Sequence, residues 1–316
     1  MELRQLRYFS AIAEYGTFSK AAEKLFVAQS ALSHQLAQLE DELGARLFHR
    51  SRRGAELTDA GTVFLAHATA ILRQVDDARV SVQRASDAPA GRVVFGIPHS
   101  VSSALALPLL RAIRQRFPLV DLELTEELTG NLVRQLRAGQ LHLSILFDDG
   151  QLGEFAHTHL VSERMSLIGP PDLDGTVPTP GIALRDALGM PLILPASPHG
   201  VRPVIEAAAR AARCPPPENV TDISSISILR TSLLAGFGYT LLPVAPLQHE
   251  VQAGLLHATP VISPTLSRTV SICASRHIPL SYAADAVMRL TAELARELSR
   301  SGAWPDATPL ADAEAS

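Results

Sequence analysis

The sequence predicts an α+β protein in which an amino-terminal winged helix-turn-helix is joined by one long helix to an α/β domain. Three observations support this prediction. Short helical patterns followed by an arginine-bearing hairpin pattern fill residues 1–58, one continuous helical pattern follows, and strands alternate with helices from about residue 90 to 300. A length of 316 residues agrees with two or three domains.

Charge and composition narrow the class of protein. The chain carries 28 Lys and Arg against 32 Asp and Glu, net −4, which excludes a protein that is basic throughout. Residues 1–58 hold 8 cations and 7 anions, net +1, so the remainder is 20 − 25 = −5, and the amino-terminal segment is the better candidate for a polyanion contact. Hydrophobic residues make up 47%, enough for a packed core.

Targeting and redox signals are weak. No apolar run reaches the roughly 20 residues of a membrane helix, and the first residues carry charges where a signal peptide would be apolar. Cys214 and Cys273 do not suggest a disulfide framework, although a redox pair remains open. We therefore expect a cytoplasmic protein without a membrane partner.

The first 58 residues predict three helices and a hairpin. Apolar residues recur at helical spacing over 3–13, and Ser19 is the expected N-cap of a short helix over 20–25. A third helix over 29–43 ends at Gly44. Two short helices joined by a few residues form a helix-turn-helix, and residues 47–58 add a small β-hairpin, a wing with arginines at its tip.

Residues 59–87 predict a linker helix that joins two chains. Apolar residues alternate at spacings of four and three, which is typical of a coiled-coil seam. A single helix cannot bury such a seam alone, so a homodimer is expected. The alternative is an amphipathic helix that lies on its own domain. The expected dimerisation residues are Phe64, Ala68, Ile71, Val75, Ala78 and Val82.

Beyond a break at residues 87–91, the alternation of strands and helices predicts βα units with a mainly parallel sheet. Residues 301–316 are small, contain proline and carry net −3, so a disordered tail is expected. The predicted domains are therefore residues 1–58, the linker helix 59–87, a regulatory domain 88–300 and the tail 301–316.

Several linked blocks near the amino terminus resemble the LysR-type transcriptional regulators of bacteria. They are Phe18–Leu25 (FSKAAEKL), Ala28–Gln35 (AQSALSHQ), Leu39–Gly44 (LEDELG), Leu47–Arg50 (LFHR) and Leu57–Gly61 (LTDAG). The resemblance implies a sequence-specific regulator. It also implies an effector domain of two lobes related in fold to periplasmic solute-binding proteins, with lobe 1 about 91–161 and 267–300 and lobe 2 about 162–266. Ser30 and the Arg202 region are similar to the subgroup that includes the nitrogen-assimilation control regulators.

The third helix is the expected reader of double-stranded DNA. When Leu32, Leu36 and Leu39 face inward, the outward positions can meet base edges in the major groove. These positions are Gln29, Ser30, Ser33, His34 and Ala37. Thr17, Lys20, Arg50, Arg52 and Arg53 are candidates for phosphate or minor-groove contacts. The alternative is a set of solvated polar positions.

Three helix starts in the regulatory domain suit a small organic anion, because free backbone N–H groups and hydroxyls collect there. The expected effector residues are Ser100, Ser102, Ser103, Thr129, Asn131, Ser197, His199 and Arg202. The alternatives are helix capping for the hydroxyls and a surface salt bridge for Arg202.

The remaining motifs point away from an enzyme. We find no P-loop, no G-x-G-x-x-G and no G-x-S-x-G, so neither catalysis nor a cofactor is expected, and His157 and His159 lack further ligands for a metal. The expected partners are DNA, a small anionic effector and a second copy of the chain in a homodimer or homotetramer, with RNA polymerase as a further candidate. An alternative is a solute-sensing protein whose winged module contacts proteins.

Overall fold

The computed structural model describes residues 1–51, 54–83, 88–148, 150, 152–171, 181–196 and 200–310. The chain divides into an amino-terminal unit, residues 1–87 with 138–140, and a carboxyl-terminal unit, residues 88–137 with 141–316. Within the described residues, no helix combines the length and the apolar character needed to span a membrane.

The amino-terminal unit is a winged helix-turn-helix followed by a long helix, as predicted. Its core forms where the inward residues of three helices meet, and Phe9 lies at its centre, with ring centroids 5.3 Å from Phe48 and 5.0 Å from Phe64. The elements are α1 (Leu3–Tyr15), α2 (Phe18–Leu25), α3 (Gln29–Leu43), β1 (Phe48–Ser51), β2 (Gly54–Leu57) and α4 (Asp59–Gln83).

The start of α2 differs from the prediction. Thr17, not Ser19, is the N-cap, because its Oγ1 accepts a hydrogen bond from the backbone N of Lys20 at 3.2 Å. Helix α2 therefore begins two residues earlier than expected. It ends at Phe26, whose φ of 54° is left-handed, and α3 begins three residues later.

A buried carboxylate joins α3 to the hairpin. Glu40 Oε1 accepts a hydrogen bond from the backbone N of Leu47 at 2.8 Å and a longer one from that of Phe48 at 3.4 Å. Its other oxygen pairs with Arg46 at 2.9 Å, and the Glu40 side chain is only 1% exposed. Because backbone donors buried beside a hairpin need acceptors, this carboxylate fixes where β1 begins relative to α3.

The start of α4 lies against its own unit. A Cβ at Gly61 would come within 2.1 Å of the Leu47 carbonyl oxygen, so only glycine permits this approach. Ala68 is fully buried within its own unit, which corrects its assignment to a dimer seam, and Phe64 is half-buried against the same core. Ile71 and Ala78 are exposed and Val75 is half-buried, while the side chain of Val82 lies outside the described residues.

The carboxyl-terminal unit has two lobes, each with its own sheet, as the resemblance implies. The sheet of lobe 1 has six strands in the order β14-β6-β13-β5-β3-β4, with β3 parallel to both β4 and β5. Its elements are β3 (Gly91–Pro98), α5 (His99–Arg116), β4 (Val120–Glu127), α6 (Thr129–Arg137), β5 (Leu143–Phe147), β6 (Phe155–Arg164) and, after lobe 2, β13 (Ser267–Ser275), α11 (Tyr282–Arg300) and β14 (Ala307–Pro309).

Lobe 2 is inserted between β6 and β13. It contains a four-stranded sheet in the order β11-β7-β12-β8 and a parallel pair, β10-β9, around one apolar core. Its elements are β7 (Ser166–Gly169), β8 (Ile182–Ala183), α7 (Leu184–Leu188), β9 (Leu192–Leu194), α8 (Arg202–Ala211), β10 (Val220–Asp222), α9 (Ile226–Leu234), β11 (Thr240–Leu242), α10 (Gln248–Gln252) and β12 (His257–Ser263).

The segment after α11 is ordered up to residue 310, which corrects the prediction of a disordered tail from residue 301. Trp304 is 1% exposed, and β14 pairs antiparallel with β6. Arg164 donates to the Asp306 carboxylate at 2.6 Å. Burial of the indole and pairing of the added edge strand stabilise this segment, although its composition predicts disorder. Residues 311–316 lie outside the described residues.

We expect Glu40→Ala to lower the free energy of unfolding by about 2 kcal/mol, because the buried backbone N of Leu47 loses its charged acceptor. Glu42→Ala is the matched control, since Glu42 is 53% exposed and pairs with the amino terminus; it should change stability by less than about 0.5 kcal/mol. Denaturant unfolding followed by far-ultraviolet circular dichroism makes the comparison. Equal losses in both variants would contradict the role assigned to Glu40.

Candidate functional site

The predicted DNA-reading face of α3 is most exposed at the amino-terminal end of the helix. Gln29, Ser30 and His34 are exposed, while Ser33 and Ala37 are half-buried. Ser19 Oγ donates to the Gln29 side-chain oxygen at 3.1 Å, which orients the Gln29 amide and links the starts of α2 and α3. The buried stripe is Leu32, Leu36 and Leu39, as predicted.

The predicted phosphate contacts have different local surroundings. Lys20 is exposed, so its ammonium is available to an anion. Thr17 uses its hydroxyl oxygen to cap α2, which leaves its hydroxyl hydrogen as the donor. The side chain of Arg50 and both Arg52 and Arg53 lie outside the described residues.

A partly open cavity lies between the two lobes of the carboxyl-terminal unit. Lobe 1 contributes residues at the carboxyl ends of β3, β4 and β5, and lobe 2 contributes residues after β9 and β10 and at the end of β11. This is where a ligand is expected in an α/β domain. Most of the wall is apolar, including Phe147, Val201, Ile223, Ile226, Leu229 and Leu242.

Of the six predicted effector residues that the structure describes, Ser100 and Thr129 line this cavity. Ser102, which is not on its wall, donates to Glu126 at 2.6 Å. Asn131 donates to Glu127 at 2.9 Å and is likewise not on the wall. Ser103 is exposed outside the cavity.

Arg202 is also absent from the cavity wall. Its guanidinium pairs with Glu206 at 2.7 Å and with Asp222 at 3.4 Å. The salt-bridge alternative is therefore the one that the structure shows for Arg202, and its expected role in holding the effector is corrected. Ser197 and His199 lie outside the described residues.

A buried ionic network, missed at the level of sequence, supports Ser100 from behind. Arg268 Nη2 donates to Ser100 Oγ at 2.9 Å, and the same guanidinium pairs with Glu163 at 2.6 Å. Glu163 also accepts from the Trp304 indole at 2.8 Å, and Arg268 stacks 3.8 Å above the Phe147 ring centroid. Burial lowers the pKa of the Arg268 guanidinium, whereas Glu163 opposes that shift. No residue spacing in the sequence predicts this network, because its five members come from five separate parts of the chain.

Family models match nearly the whole chain. The lysR-family model of a bacterial regulatory helix-turn-helix protein matches residues 3–62, and the LysR substrate binding domain model matches residues 86–296. The chain belongs to the LysR family of transcriptional regulators. The prediction of a LysR-type regulator is thus confirmed, with a helix-turn-helix and an effector-binding domain.

Relatives in the LysR family extend over most of the chain. The transcriptional regulator BbuR of Bordetella bronchiseptica is 31% identical over 95% of this chain and 92% of its own. The nitrogen assimilation regulatory protein nac of Klebsiella aerogenes is 32% identical over 93% of this chain and 95% of its own, which agrees with the subgroup resemblance.

Solved structures share the LysR fold. A full-length OxyR mutant from Pseudomonas aeruginosa has a TM-score of 0.73 at 26% identity, and the match covers 98% of each chain. Full-length CbnR in complex with its target DNA has a TM-score of 0.62 at 23% identity, over 92% of this chain and 100% of its own.

Histidines and cysteines elsewhere in this LysR-type regulator form no metal site among the described residues. His159 bonds Ser271 at 2.9 Å, and its ring centroid lies 5.1 Å from that of His157. Cys214 and Cys273 are free and lie in different apolar clusters, one in each lobe. Burial, with a smaller effect of Asp148, raises the pKa of the Cys273 thiol far above its usual range.

We expect Cys273 to resist thiol reagents in the folded protein, because a raised pKa leaves almost no thiolate at neutral pH. An aromatic disulfide reagent should label half-buried Cys214 slowly and reach Cys273 only after denaturation. Cys214→Ser should abolish native labelling, and Cys273→Ser should leave it unchanged. Rapid native labelling of Cys214→Ser would contradict the shielded thiol.

Proposed function

We propose that this LysR-type regulator binds specific DNA sequences through the exposed amino-terminal face of α3. The observation that carries this proposal is the row of Gln29, Ser30 and His34, exposed beside a fully buried leucine stripe. Amides, hydroxyls and imidazoles can read base edges in the major groove. A chain of the same fold has been solved with its target DNA, which supports this use of the helix.

In this proposal, contacts with the DNA phosphates position α3 on the duplex. Lys20 lies on α2, and the hairpin arginines Arg50, Arg52 and Arg53 supply positive charge beside the duplex. A partly exposed Ser33 and the methyl group of Ala37 complete the reading face. We also propose that the protein lies in the cytoplasm, has no enzymatic activity and has RNA polymerase as a further partner.

The protein acts as a homodimer or a pair of dimers in this proposal, joined along α4. Ala68 belongs to the core of its own unit, so the exposed residues Ile71 and Ala78 carry the seam in this proposal, with half-buried Val75 beside them. A C2 dimer reads two half-sites in inverted repeat.

Effector binding belongs in the interlobe cavity. Ser100 and Thr129 offer hydroxyl groups at the first turns of α5 and α6, and the wall is otherwise largely apolar. We propose a small organic molecule with an anionic group as the effector. Its binding shifts the balance between two lobe arrangements.

DNA reading is tested with His34→Ala. An operator is first selected by the wild-type protein from duplexes covering the promoter region beside its own gene. Loss of a base contact should weaken operator binding about tenfold and random-duplex binding by less than about twofold. His249→Ala, at an exposed histidine of the carboxyl-terminal unit, is the matched control and should change neither.

Lys20→Ala should instead weaken binding to both duplexes and lower the salt dependence by about one counterion. Fluorescence anisotropy at several salt concentrations measures these effects. A wild-type protein that binds no duplex at low salt would favour the alternative, a winged module that contacts proteins.

Dimerisation through α4 is tested with Ile71→Glu. A charge on an apolar seam should shift the protein toward monomer in sedimentation equilibrium, by about tenfold in dissociation constant. Thr62→Glu, at an exposed polar position of the same helix, is the control. An unchanged association constant in Ile71→Glu would remove this face from the interface.

A further inference from the structure

One carboxylate on the wall of the interlobe cavity has no cationic partner among the described residues. Glu127 lies at the carboxyl end of β4 and is half-buried, and its one hydrogen bond there is from Asn131 at 2.9 Å. Its neighbour Glu126 differs, since it accepts from Ser102 at 2.6 Å and lies 3.1 Å from His99 Nδ1. A carboxylate beside an apolar wall favours a nearby cation.

A hydrogen-bond donor, the Ser100 hydroxyl, lies on the same wall at the start of α5. Ser100 is 8% exposed and lines the same cavity. Because Arg268 donates to its Oγ at 2.9 Å, the Ser100 oxygen serves as acceptor there and its hydrogen is left to donate elsewhere. No other described residue accepts that hydrogen. A donor hydroxyl polarised by a guanidinium suits a carboxylate.

Glu127 and Ser100 lie on neighbouring parts of the cavity wall. Glu127 is paired in register with Pro98 on the adjacent strand β3, and Ser100 follows Pro98 by two residues. Neighbouring strands lie about 4.8 Å apart. The rest of the wall offers apolar side chains such as Phe147, Ile226 and Leu242.

We infer that the cavity binds a small apolar α-amino acid, with its ammonium at Glu127, its carboxylate at Ser100 and its side chain against the apolar wall. This inference rests on the proposed function of the cavity as an effector site and narrows it. A plain carboxylate would leave Glu127 without a cation, and a plain amine would leave the Ser100 hydrogen without an acceptor.

Arg268 is a positioning residue in this arrangement. It does not line the cavity, yet its guanidinium fixes the Ser100 hydroxyl and is itself fixed by Glu163. Trp304 holds Glu163 in turn, so the segment after α11 contributes to the orientation of the cavity's donor.

The test uses matched ligands on the full-length protein. L-leucine is compared with 4-methylpentanoate, which lacks the ammonium, and with 3-methylbutylamine, which lacks the carboxylate. L-phenylalanine, 3-phenylpropanoate and 2-phenylethylamine form the second set. Thermal shifts and isothermal titration calorimetry should show at least one amino acid binding about tenfold more tightly than both of its truncated forms.

Variants assign the two ends of the ligand. Glu127→Gln should weaken binding of the amino acid about tenfold and leave binding of the carboxylate analogue within about twofold. Glu126→Gln, which changes a carboxylate already engaged, is its control. Ser100→Ala should weaken the amino acid and its carboxylate analogue together, with the exposed Ser103→Ala as control.

Trp304→Phe removes the indole N–H while retaining an aromatic ring, and so tests the positioning role without emptying the core. We expect weaker binding of the amino acid and unchanged binding of the amine. Equal losses for both ligands would mean that Trp304 acts only on stability, and unchanged binding of both would remove the positioning role.

Two results would overturn the inference. The first is equal or tighter binding of either truncated form by the wild-type protein. The second is no binding of either amino acid. Succinate, 2-oxoglutarate, benzoate and benzamide are run in parallel, so that binding of one of these without the amino acids leaves the proposed effector site standing while the ligand class fails.

Discussion

The buried carboxylate of Glu40 is the interaction on which the geometry of the amino-terminal unit depends. It accepts from the first backbone donors of the hairpin and pairs with Arg46 across the turn that leaves α3. These bonds fix the position of the hairpin relative to α3. The close approach of Gly61 to the Leu47 carbonyl then sets the direction in which α4 departs.

The carboxyl-terminal unit also contains a buried carboxylate that joins distant parts of the chain. Glu163 is fully buried, and its two oxygens bring together Arg268 from β13 and Trp304 from the segment after α11. A buried ion pair adds little net stability, because both charges are desolvated. Its value here is positional, since it holds one hydroxyl at the cavity wall in a defined hydrogen-bonding role.

Periodicity and turn residues were enough to predict most of the helices. The leucine stripe of α3 and the glycine at its end predicted both its bounds and its buried face. The N-cap of α2 was predicted wrongly because two hydroxyl residues, Thr17 and Ser19, lie near its start, and only the hydrogen bond from the backbone N of Lys20 identifies Thr17 as the cap. The strand β14 was missed because its pairing depends on β6, which lies far away in sequence.

The candidate sites were less predictable from the sequence than the fold. Ser100 was expected from its place at a helix start, whereas Glu127 reads like any surface glutamate at the end of a strand. A salt bridge of Arg202 was only one alternative at the level of sequence, because its partners, Glu206 and Asp222, are brought to it by helix spacing and by a neighbouring strand. The linker residues Phe64 and Ala68 satisfied a heptad pattern while facing their own core.

The position of Trp304 has a practical consequence. It is the single tryptophan of the chain, and it is buried in lobe 1 against the carboxylate that holds Arg268. Its fluorescence therefore reports on lobe 1 and not on the helix-turn-helix. Quenching or a spectral change on adding a small molecule would therefore report ligand binding in the carboxyl-terminal unit. DNA binding could be followed at the same time through a separate dye.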